Sequence, residues 1–76
     1  MACGKENLES ELKEAALYHF QAKRSEAVAN LRVYLRSASG VAEHPNVVGE
    51  ITGLIKQVAE AEECISIVEE LIKGEL

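Results

Sequence analysis

Eight apolar residues, Val47, Ile51, Leu54, Val58, Ala61, Ile65, Val68 and Ile72, recur at spacings of 4, 3, 4, 3, 4, 3 and 4. No strand can use such a pattern, because a strand repeats every second residue. A helix can, and an unbroken heptad line is a seam made to lie against another helix. Val48 and Ile55 broaden the seam at its front, and Cys64 and Leu71 broaden it at its back. The opposite face carries Lys56, Glu63, Glu70 and Lys73. The spacing predicts a helix over 46–73, ~42 Å long at the usual rise per residue.

Two glycines, Gly49 and Gly53, sit in the first turns of this helix. Each weakens a helix interior by roughly 1 kcal/mol against Ala. On the heptad frame both fall on the outer face, away from the seam. They mark either a close approach by another backbone or a frayed helix start. Pro45 suits a first turn, where its missing N–H is not needed. His44 or Asn46 then stands at the cap.

The remainder reads as two shorter helices. The first covers 6–22, with an apolar line of Leu8, Leu12, Ala15, Ala16, His19 and Phe20. The second covers 25–38, with Ser25 as cap and Val28, Leu31, Leu35 and Ala38 as its line. Carrying the first line forward puts Glu26 on the apolar face, and carrying the second backward puts Arg24 there. The stripe therefore breaks at residues 22–25, and a tight turn is expected. Ser39 and Gly40 end the second helix, with Gly40 suited to a left-handed C-terminal turn. Helices this short reach only ~20–26 Å. They cannot cover the whole seam, and a second copy of the chain is the simplest cover for the rest.

The expected fold is all-α: a helical hairpin plus one longer C-terminal helix, a three-helix bundle completed by dimerisation, in a single domain over 1–76. Seventy-six residues allow only one domain, and a chain so short buries roughly 60% of its unfolded surface. Its core must come from Leu, Ile, Val and Ala, since Tyr18, Phe20 and Tyr34 are its only aromatics.

Charge narrows the function classes. The net charge is −5, and every acidic residue is Glu. A duplex-binding surface needs clustered cations to release counterions, so the balance argues against nucleic acid. Locally, residues 21–40 hold Lys23, Arg24, Arg32 and Arg36 against Glu26 alone. Arg32 and Arg36 lie one turn apart and form a basic face, which pairs with the acidic segments or contacts nucleic acid. Cys3 and Cys64 make no disulfide framework and read as reduced thiols. They have no zinc-like spacing with His19 or His44, so no metal or cofactor is expected. Without Asp, a phosphate loop or a nucleophile elbow, no catalytic set is expected either. No apolar run approaches the ~18 residues that span a bilayer, and no signal-peptide core is expected. The acidic polar face of the last helix does not suit a membrane surface.

Two local resemblances are offset by their departures. "ALYHFQAKRSEAVANLRVYL" resembles a tetratricopeptide unit at Tyr18, Ala27 and Leu31, but lacks its Trp, Gly and closing Pro, and no second repeat follows. "GEITGLIKQVAEAEECISIV" is similar to the metal-binding helix of copper-sensing repressors at Gly49, Gly53 and Cys64, without the later ligands. Neither sets an expectation here.

The sequence points to a small cytoplasmic, non-enzymatic protein–protein interaction module: a self-associating adaptor or regulatory subunit, as a homodimer or with a helical partner. Its interface residues would be Val47, Ile51, Leu54, Val58, Ile65, Val68 and Ile72, with Gly49 and Gly53 as a second surface. The alternative is a small helical regulator responding to nucleic acid or metal through Arg32 and Arg36 or through Cys64.

Overall fold

The computed structural model describes residues 5–36 and 46–76, with side chains from Leu8 onward. Two α-helices make up the described chain: α1 over Lys5–Arg36 and α2 over Val47–Lys73. The Arg24 guanidinium meets Glu62, and the Tyr34 hydroxyl faces Glu50. Moving up α1 therefore moves down α2, so the pair is an antiparallel hairpin.

The expected pair of helices over 6–22 and 25–38 is one continuous helix of 32 residues. The physical reason lies at Arg24. The line of α1 that turns toward α2 is Lys13, Leu17, Phe20, Arg24, Ala27, Leu31 and Tyr34, at heptad spacing throughout. Arg24 is a polar insertion in that line, and its Nε donates to Glu62 Oε2 at 2.9 Å. With a partner for its charge, the insertion needs no break in the helix. Ser25 and Glu26 are exposed on the helix surface, and Ser25 caps nothing. The Ser39–Gly40 end and the Pro45 and His44 start lie outside the described residues.

The predicted third helix is present with its seam intact. Leu54, Ala61 and Val68 are buried, and Val47, Ile51, Val58 and Ile65 are half-buried against α1. Asn46 precedes its first residue and makes no side-chain capping bond. At the other end Gly74 adopts φ 76°, ψ 23°, and the N–H of Glu75 reaches back to the Glu70 carbonyl at 2.8 Å. That left-handed turn satisfies carbonyls the helix end would leave open.

Joining the first two helices changes the reach argument. At the usual rise, α1 is ~48 Å long and α2 ~40 Å. One chain thus covers its own seam, and a second copy is not needed for that purpose. The cost of this economy is thickness. The Cα envelope measures 60 × 23 × 14 Å, two helices wide and one helix deep. The radius of gyration is 17.4 Å, against about 11 Å for a compact domain of this length.

Candidate interaction surface

A heptad seam has two flanks, and in an antiparallel pair each flank is shared by both helices. The Arg24–Glu62 pair bridges the first flank and the Tyr34–Glu50 contact, at 3.4 Å, bridges the second. Both cross-links are modest. Arg24 and Glu62 are 46% and 52% exposed, a setting in which an ion pair contributes about 0–1 kcal/mol.

On the first flank, near the connection between the helices, α1 contributes Val28 and Leu35 and α2 contributes Val48 and Ile55. The register brings these α1 residues level with the first three turns of α2. Val28 is half-buried; the other three are exposed, Val48 to 73%. Further along this flank stand Glu14, Glu62 and Glu69, with Tyr18 and Ile72 exposed around a groove of about 210 Å³.

On the second flank the apolar surface lies at the opposite end, where α1 begins and α2 stops. Leu8, Leu12, Ala16 and Leu71 line an open groove of about 390 Å³ there, with Glu9 and Lys13 at its edge. Glu9 and Lys13 pair with each other at 3.0 Å. Ile67, one turn before Leu71, is also exposed. Toward the middle of the same flank, Phe20, Lys23, Gln57, Glu60, Ala61 and Cys64 enclose a smaller open groove of about 290 Å³.

The sequence-derived residues are distributed as follows. Val47, Ile51, Leu54, Val58, Ile65 and Val68 are engaged by α1 within the chain, and Ile72 at the seam's end is exposed. Gly49 and Gly53 lie within the helix. A Cβ on Gly53 would meet nothing within 4 Å; one on Gly49 would press on the Asn46 side chain. Arg32 and Arg36 are exposed and, among the described residues, have no acidic partner within ion-pair distance. Cys64 is a half-buried free thiol. Among the described residues, no group of three or more His, Cys, Asp or Glu side chains could hold a metal ion. Cys3 and His44 lie outside them. No helix of the described residues is long and apolar enough to cross a membrane.

Reading the seam alone missed the flank residues on α1. The α2 contributors had a signal, since Val48, Ile55 and Leu71 are the residues that broaden the seam. Leu12, Ala16, Val28 and Leu35 belong to the apolar lines expected for the first two helices; that they flank α2 rather than face it follows only from the register between the helices.

The chain matches no family model, no curated protein and no solved structure.

Proposed function

We propose that this chain is a small non-enzymatic interaction module of the cytoplasm, a helical hairpin that completes its core by packing on further helices, in the simplest case those of a second copy. The observation that carries this reading is its surface. The accessible area is 5958 Å², against about 4,600 Å² for a folded monomer of this mass. The excess, about 1,400 Å², goes with an elongated molecule that encloses little of its apolar surface. The buried core of the described residues is Ala27, Leu54, Ala61 and Val68, while Leu8, Leu12, Leu35, Val48 and Ile55 are exposed. A helix pair with apolar residues on both flanks is half of a layered structure, and bundles supply the other half with more helices.

Sedimentation equilibrium at micromolar concentration tests the reading. Species heavier than the 8.3 kDa chain are expected. A monomer of that mass with a cooperative melt at every concentration overturns it.

A further inference from the structure

We propose that the copies associate head to tail: the apolar flank beside the connection in one copy packs on the groove at the opposite end of the next. This rests on the self-association proposed above and adds which surface meets which.

The charges choose this pairing. Residues 21–59, the half nearer the connection, hold five Lys and Arg against three Glu. Residues 1–20 and 60–76, the other half, hold three Lys against ten Glu. The first apolar patch, Leu35, Val48 and Ile55, therefore sits in the basic half beside Arg32. The second, Leu12 and Leu71, sits in the acidic half beside Glu9 at the groove's edge and Glu70, the neighbour of Leu71 on α2. Like-with-like contact would set Arg32 against Arg32, or one glutamate cluster against another. Unlike contact buries apolar surface on both sides and brings Arg32 and Arg36, which lack an acidic partner among the described residues, toward those glutamates.

Geometry agrees. The two patches occupy opposite flanks and opposite ends, so no two-fold axis can place one on the other. The contact is heterologous, and each copy offers one surface of each kind.

Paired face variants test the proposal. Leu35→Glu with Ile55→Glu closes the first surface, and Leu12→Glu with Leu71→Glu closes the second. Each variant alone should sediment at 8.3 kDa. Mixed in equal amounts they should form a species of twice that mass and nothing larger, because one native surface of each kind remains. Loss of helicity in the separate variants, regained on mixing, is the same result read through folding. Leu8→Glu with Leu12→Glu repeats the test while leaving Leu71 in place. Either face variant self-associating alone overturns the head-to-tail contact but leaves self-association standing. So does a mixture that stays monomeric with both variant pairs while the unaltered protein associates. An unaltered protein that is monomeric throughout overturns both.

Discussion

Arg24 is the one charged residue of α1 that meets α2 through an ion pair among the described residues. It occupies a seam position yet is partly open to water, and its carboxylate partner Glu62 is equally open. A pair so exposed contributes about 0–1 kcal/mol, and a Leu side chain, worth about 1.5–3 kcal/mol when fully buried, keeps roughly half of that at a half-open position. Arg24→Leu should therefore leave the melting temperature unchanged or raise it. A clear fall, followed by circular dichroism, would show that the pair does more than its exposure allows. Gly53 gives a second decision at this scale. A methyl group there enters open space, so Gly53→Ala should stabilise the helix by about 1 kcal/mol and leave association unchanged. Lost association would instead place a partner backbone against that face. The sequence poses this choice between contact and fraying, and the helix runs back to Val47, so both glycines lie inside it.

At the scale of elements, α2 was legible almost to its ends and α1 was not, and the difference is physical. Every seam position of α2 is apolar, so period and direction can be read without knowing the partner. The inward line of α1 carries Lys13, Arg24 and Tyr34, while Leu8, Leu12 and Ala15 make a more apolar line on another side. Hydrophobic periodicity follows the wrong line there. A polar residue in a seam is understood only once its partner on the other helix is known. The same limit governed the apolar flanks: their α2 residues showed as a broadened stripe, while Leu12, Ala16, Val28 and Leu35 showed as apolar lines whose place beside α2 only the register gives. The register also explains Ala27, the most buried residue of α1. A small side chain at that point lets the helices come close. Ala27→Leu should overpack the seam by about 1–3 kcal/mol. A chain of this length has only about 4–11 kcal/mol in total. The urea midpoint should fall with the slope unchanged; an unchanged midpoint would mean that the helices are not held at that separation.

For the whole molecule, folding and association should be one equilibrium. If a single-layer hairpin gains its missing layer from other copies, mass action links stability to concentration. The melting temperature should rise with each tenfold increase in protein. Salt should act in two opposed ways. Copies carrying −5 each repel one another as wholes, and that long-range term operates at 0.01 M salt, where the screening length is about 30 Å. At 0.1 M the length is about 10 Å, so whole-molecule repulsion fades while basic and acidic halves in contact still attract. Near 1 M the length is about 3 Å and the contact attraction is screened as well. Association should therefore strengthen from 0.01 to about 0.1 M and weaken toward 1 M, leaving the apolar part of the contact. A steady strengthening over the whole range would mean that apolar burial alone joins the copies. A melting temperature independent of concentration at every salt would mean that one layer suffices for folding, and the apolar flanks would then await a different protein.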